Sequence, residues 1–310
     1  VTSAGEGEVA ALYESYPYPA HGIISSVLAR MAGGVVAEMR SRRHGQRLAG
    51  LDAGCGTGEQ TLGLARAYPD LEMTGVDFSD ASLAFARDLS LKHGVPAGFA
   101  RADLTRPLEG LGPFDLVVCV GTLHHLPDPR AGLRALRGVI REGGVLLGMV
   151  YGTFGKQDLF RARDALRLLA GEGASREERL SLLPAAKLAL NAGPLHYLRA
   201  LGYRARFGPD IAVREALLRV VRGRSSSYQA DAFTHPQETS FTWSELDREL
   251  ASTGFRLTGW PRRSGMPDDP RQLFGGEAAR RLSRMTCLAQ AAVYERVLCP
   301  PHLYFLAEPA

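Results

Sequence analysis

Leu51-Asp52-Ala53-Gly54-Cys55-Gly56-Thr57-Gly58-Glu59 constrains this chain more than any other stretch. An apolar run, Leu48–Leu51, leads into three glycines at alternate positions, and Glu59–Tyr68 follows with helical spacing. A strand that turns into a helix through glycines lets backbone pass very close to a bound ligand. The spacing is Gly-x-Gly-x-Gly, not the Gly-x-Gly-x-x-Gly of pyrophosphate binders. Asp52 at the strand tip also suits a ligand ammonium better than a phosphate. Both features tell against a nicotinamide-dependent oxidoreductase.

The same alternation continues to Tyr151. Leu48–Leu51, Leu71–Val76, Gly98–Ala102, Phe114–Val120 and Val145–Val150 read as strands. Glu59–Tyr68, Asp80–His93 and Pro129–Arg141 have helical spacing. Ser79-Asp80 and Asp128-Pro129 supply caps, and Gly143-Gly144 is read as the end of a helix. Alternating strands and helices predict a doubly wound parallel sheet with helices on both faces.

After Tyr151 the periodicity turns helical. Lys156–Ala170, Arg176–Asn191, Pro194–Leu201 and Ile211–Val221 carry it, joined at Gly171, Gly173, Gly193, Gly202 and Gly208. Phe241-Thr242-Trp243-Ser244 opens a further helix, Phe255–Trp260 reads as a strand, a helix runs from Gly276 to Leu298, and His302–Ala307 is a last strand. The organisation expected is an N-terminal helical and aromatic segment (1–47), a ligand-binding core (48–151), a helical insertion (152–239) and a completion of the α/β core (240–310).

More carboxylates stand where the sheet's carboxyl edge should lie. Gly75-Val76-Asp77-Phe78 ends the second strand, Ala102-Asp103-Leu104 follows the third, and the fourth ends in Val120-Gly121-Thr122-Leu123-His124-His125-Leu126. Leu51–Glu59, Asp77, Asp103 and Phe114–Leu126, in this order, resemble the motifs of the class I S-adenosylmethionine-dependent methyltransferases. The resemblance covers residues 48 to 151. Tyr13-Glu14-Ser15-Tyr16-Pro17-Tyr18-Pro19 and His235-Pro236-Gln237-Glu238 with Phe241-Thr242 resemble one bacterial branch of that family more loosely.

The resemblance implies a Rossmann-like sheet, mostly parallel with one antiparallel C-terminal strand, and a helical insertion after the fifth strand. It implies S-adenosylmethionine as methyl donor and S-adenosylhomocysteine as product. Asp52 and the Gly54 backbone would hold the methionine ammonium, with Gly56 and Gly58 permitting the approach. Asp77 would take the ribose diol and Phe78 flank the adenine. Asp103 and the Leu104 backbone would read the adenine edge, and Val120 and Gly121 line the cofactor. For each carboxylate the competing reading is an ordinary cap or turn residue.

A sulfonium is already an activated methyl donor, so positioning can supply much of the rate. A base is needed only where the acceptor is a hydroxyl, a thiol or a protonated amine. His124 and His125 are the candidates nearest in sequence, against a packing role for the pair. His235 and Glu238 are acceptor-site candidates, against a turn. Tyr13, Tyr16 and Tyr18, interleaved with prolines in a segment too stiff for a long helix, form either an aromatic lid or an anchor for the N-terminus. No carboxylate-histidine set has metal-ligand spacing, so no metal is expected.

Composition narrows the partners. The net charge is +4 with a pI near 9.0, yet acidic residues interleave with the arginines and the basic runs are short. That reads as a solvated basic surface, not a nucleic-acid face. No apolar run approaches the ~20 residues of a membrane helix, and no signal-peptide layout opens the chain, so a cytoplasmic enzyme is expected. The four cysteines are scattered, which reads as buried free thiols. The favoured acceptor is a small organic molecule held under the insertion, with a protein or peptide side chain as the alternative. A module that holds the cofactor without chemistry is the remaining reading.

Overall fold

A computed structural model describes residues 4–19, 22, 24–44, 46–171, 173–182 and 226–310. Its described elements are helices α1 (Ala4–Ser15) and α2 (Val27–Arg42), strand β1 (Leu48–Ala53), α3 (Glu59–Ala67), β2 (Leu71–Asp77), α4 (Asp80–His93), β3 (Gly98–Arg101) and β4 (Phe114–Val120). A short 3-10 turn, Leu123–His125, precedes α5 (Pro129–Val139), β5 (Ile140–Gly152), α6 (Thr153–Ala170) and α7 (Arg176–Leu182). Then come α8 (Ser226–Thr234), β6 (Ser240–Phe241), α9 (Trp243–Ser252), β7 (Phe255–Gly259), α10 (Gly276–Ser283), α11 (Cys287–Leu298) and β8 (His302–Pro309).

Local chemistry explains the boundaries. Ser79 caps α4 by accepting from the Ser82 N–H at 3.1 Å, and Asp128 caps α5 just ahead of Pro129. Thr242 and Glu245 form a reciprocal capping box at the start of α9. The expected helix end at Gly143-Gly144 is corrected: α5 stops at Val139, and both glycines lie in β5, where pairing with β4 slips register between Phe114 and Leu116. The long helix expected from Gly276 to Leu298 is two, because Thr286 starts a new one by accepting from the Ala289 N–H. Tyr13 stands on a helix, α1, which ends at Ser15, ahead of Tyr16 and the proline-interleaved stretch.

Among the described residues the strands form one sheet in the order β3-β2-β1-β4-β5-β8-β7, with β6 paired to the end of β5. β1 to β5 run parallel, and β8 is antiparallel to both β5 and β7. One apolar layer packs Leu133, Leu136, Trp243, Leu246, Leu250 and Tyr294 on one face. The other packs Leu28, Val36, Met39, Leu62 and Leu64 on the opposite face. This is the mostly parallel, doubly wound architecture expected, with α6, α7 and α8 in the segment that follows β5. Helices expected over Pro194–Leu201 and Ile211–Val221, the end of Arg176–Asn191, and the joints at Gly193, Gly202 and Gly208 lie outside the described residues.

Candidate active site

The sheet order reverses between β2-β1 and β4-β5, and the carboxyl ends of β1 and β4 flank that point. Open α/β sheets bind ligands in the crevice there. The glycine turn after β1 is built for close contact. Gly54 and Gly56 adopt φ of +78° and +51°, the left-handed region that glycine enters freely. A Cβ on Gly54 would run into the Thr122 side chain, and one on Gly56 into the Tyr18 carbonyl oxygen. The Thr57 N–H donates to that same carbonyl at 3.1 Å, so the N-terminal segment closes over the turn. Gly58 is required by packing, since a Cβ there would stand 2.7 Å from that of Ala86.

Two carboxylates sit beneath this turn. Asp52 is 3% exposed and accepts from the Thr61 hydroxyl at 2.6 Å. Burial, with Asp77 adding to it, pushes its carboxyl up to about 6. Asp77 accepts from the Gly56 N–H at 2.9 Å and from the Ser79 N–H at 3.0 Å. Burial outweighs those two bonds and raises its carboxyl as well. The buried acids and the cradle without Cβ atoms fit a ligand carrying an ammonium and a diol. Phe78 is half-buried, with the Tyr13 ring edge-on at 6.0 Å. Asp103 is exposed and accepts from the Thr105 N–H and hydroxyl, beside Arg106. Leu104 is buried, and the Gly121 N–H donates to the Met149 carbonyl at the end of β4.

Next to this crevice lies a buried cluster of polar side chains, partly legible in sequence. His124 is fully buried and stacks on Tyr151 at 3.8 Å; its backbone carbonyl accepts from the Thr239 N–H, and its ring nitrogens have no hydrogen-bond partner among the described residues. Burial, then the neighbouring His125, holds it well below the usual histidine range. His125 stacks on His235 at 3.8 Å, and burial pushes each ring down to about 3. Arg163 of α6 donates to both oxygens of Glu238 and, at 2.5 Å, to the Ala232 carbonyl. Burial raises the Glu238 carboxyl, with Arg163 opposing. Lys156 places its ammonium 3.3 Å from the Tyr151 ring centre. Tyr16 is half-buried after α1, its N–H donating to the Leu12 carbonyl.

Sequence reasoning missed Asp231, Arg163, Lys156 and Tyr151. Asp231 precedes His235 by four residues, a spacing that puts both on one side of a helix end, and that was the available signal. No carboxylate-histidine set has metal-ligand spacing along the chain, but the fold gathers one grouping of these residue types. A ring nitrogen each from His125 and His235 and a carboxylate oxygen of Asp231, all buried, lie within 4.8 Å of one another. His125 stands 106 positions before Asp231 and 110 before His235, so only the fold brings it to them.

Sheet order, glycine turn and paired acids define a Rossmann-like α/β domain with a ligand crevice at its switch point. Residues 51–144 match a family model described as a methyltransferase domain. Over that segment the chain is similar to the class I S-adenosylmethionine-dependent methyltransferases. It is 32% identical over 235 residues to an uncharacterized protein of Synechococcus, covering 74% of this chain and 52% of that protein. It is 32% identical over 138 residues to the ubiquinone biosynthesis O-methyltransferase of Bordetella avium, covering 43% of this chain and 56% of that one. The chain thus spans about half the length of these curated relatives. The structure of PKMT2 from Rickettsia typhi, in complex with AdoHcy, superposes with a TM-score of 0.60 at 16% identity, over 85% of this chain and 49% of that one. That likeness is one of fold. Among the described residues, no helix is long and apolar enough to cross a membrane.

Proposed function

We propose that this chain transfers the methyl group of S-adenosylmethionine to a small organic molecule. Asp52 and Gly54 would hold the donor's ammonium, Asp77 its ribose, Phe78 its adenine face, and Asp103 with the Leu104 backbone its adenine edge, with Gly56, Gly58, Val120 and Gly121 shaping the path. When bound, the donor supplies an electrophilic methyl group on sulfonium sulfur. The chain then has to align an acceptor beside it, exclude water and provide for a proton.

The observation that carries the choice of acceptor is the burial of the polar cluster around His125 and His235. His125, Asp231 and His235 are 6–8% exposed, and α1 and α8 cover them. Such a buried cluster suits a compact ligand, whereas a protein side chain on a folded substrate would need an open groove. The match to a relative whose name states O-methylation in ubiquinone biosynthesis supports the small-molecule reading over the shared segment. The test is release of S-adenosylhomocysteine with panels of small phenols, alcohols, thiols and amines, run beside a heat-denatured proteome. Turnover with small molecules is expected. Methylation of proteins alone would reverse the acceptor assignment.

A further inference from the structure

The backbone of Gln237 sets the proton pattern of two histidines at once. Its N–H donates to Nδ1 of His235 at 3.2 Å, and its carbonyl accepts from Nδ1 of His125 at 3.3 Å. A backbone N–H only donates and a carbonyl only accepts. A neutral imidazole carries one proton. His235 therefore carries it on Nε2, and His125 leaves Nε2 bare. Both rings are neutral across the physiological range, because burial pushes each down to about 3.

The two nitrogens left over are chemically opposite. Nε2 of His235 is buried and has no hydrogen-bond partner among the described residues. A buried donor without an acceptor is costly, so its presence points to a ligand atom that accepts. The rings stack with 29° between their planes, and a nitrogen of each lies within 4.8 Å of the Asp231 carboxylate. Asp231 is itself held at Oδ1 by the Tyr13 hydroxyl. These side chains have the composition of a metal site, but their tautomers oppose one. A metal on Nε2 of His235 would need a proton on Nδ1, aimed at the Gln237 N–H.

Building on the methyl-transfer reading, we propose that His235 and His125 together select a hydroxyl as the acceptor group, His235 donating to its oxygen and His125 receiving its proton. A hydroxyl accepts and donates at one atom, as this pair requires. An ammonium has no lone pair for His235, and a thiol sulfur accepts only weakly. In the transfer, the acceptor oxygen bonds to the methyl carbon while the sulfur–methyl bond breaks with its electron pair left on sulfur. The oxygen becomes strongly acidic as its bond to the methyl carbon forms, so its proton passes to Nε2 of His125 even though burial holds that ring down to about 3. Positive charge thereby passes from sulfonium to imidazolium, whose Nδ1–H faces the Gln237 carbonyl and, at 3.7 Å, Oε1 of Glu238. His235 is the specificity-determining residue in this scheme.

Long-range ¹⁵N–¹H spectra of histidine-labelled protein, saturated with S-adenosylhomocysteine at neutral pH, read the tautomers directly. Binding of that product is measured first, so failure of the methyl-transfer reading is seen separately. The expected pattern is Nδ1–H for His125 and Nε2–H for His235; any other pair, or a charged ring, overturns the proposal. Phenol and benzylamine are then titrated up to their solubility limits. Phenol should shift both Nε2 signals and bind about three- to ten-fold more weakly to His235→Phe, with His235→Gln restoring part of the loss. No phenol response, preference for benzylamine, or unchanged phenol binding in folded His235→Phe overturns it. Should His235→Phe fail to fold, the tautomers and the phenol–benzylamine comparison in the unsubstituted protein still decide.

Discussion

Across 218 positions of chain, the Tyr13 hydroxyl donates to Oδ1 of Asp231 at 2.8 Å. The bond ties α1 to α8, and it spans from the crevice to the polar cluster because the Tyr13 ring also meets Phe78. Tyr13→Phe keeps that ring contact and removes only the hydroxyl. A buried acceptor then loses its partner, at a cost of about 1–3 kcal/mol. Chemical denaturation should register the loss, and S-adenosylhomocysteine affinity should change less than acceptor turnover.

Arg163 carries the other long-range tie, from α6 to Glu238 and the Ala232 carbonyl. Glu238 is 3% exposed and Arg163 14%. Removing one partner of a buried pair leaves an uncompensated charge, a loss of about 3–5 kcal/mol. Arg163→Met should therefore destabilise strongly, and Arg163→Met with Glu238→Gln should recover a large part of the loss. A double variant as unstable as the single one would mean that Arg163 matters through packing and the Ala232 bond instead.

The pH dependence has two opposing parts. The Asp52 carboxyl, at about 6 in the folded chain, lies above its ordinary 3.8. The native state therefore holds a proton that the unfolded chain has released, and stability falls as pH rises through that window, by up to about 3 kcal/mol in all. His125 and His235 go the other way. Their folded values near 3 lie below the ordinary 6.5, so stability falls as pH drops from 6.5, by at most about 1.4 kcal/mol per pH unit for each ring. Asp77 and Glu238, also raised by burial, act in the same sense as Asp52, and His124 acts in the same sense as the other two histidines. In urea unfolding across this range, Asp52→Asn should shift the balance toward loss in acid and His235→Gln should shift it away. Product affinity should rise with pH through about 6, since an ammonium favours ionised Asp52.

Asp77 links binding and folding. Its two oxygens already hold the Gly56 and Ser79 N–H groups, so Asp77→Ala should cost stability, about 1–3 kcal/mol, besides weakening the product complex. Gly56→Val should displace the Tyr18 carbonyl that Thr57 also uses, loosening the N-terminal segment along with the crevice. Thermal melts with and without S-adenosylhomocysteine separate the two effects.

The sheet and the crevice were legible because their determinants are local. Strand periodicity, the glycine turn and the acids at Asp52 and Asp77 each lie in one short stretch, and the caps at Ser79, Asp128 and Thr242 follow simple rules. Asp103 shows the limit of that logic: an acid after a strand reads the same whether it serves a ligand, its own turn at Thr105, or both. The polar cluster was less legible because its parts are far apart. His125 and His235 could be flagged singly, but their stacking, the Gln237 backbone between them and Asp231 against them depend on how α8 returns to the end of β5. The glycines at 143 and 144 misled for a related reason, since a strand irregularity uses the same residues as a helix end.

Calorimetric titration with S-adenosylhomocysteine tests the central claim most directly. The unsubstituted chain should bind one molecule, and Asp77→Ala, where folded, should bind it at least about ten-fold more weakly through loss of charge-assisted hydrogen bonds. Absence of binding by the folded unsubstituted chain, or an Asp77→Ala variant that binds as well as its parent, would contradict the account.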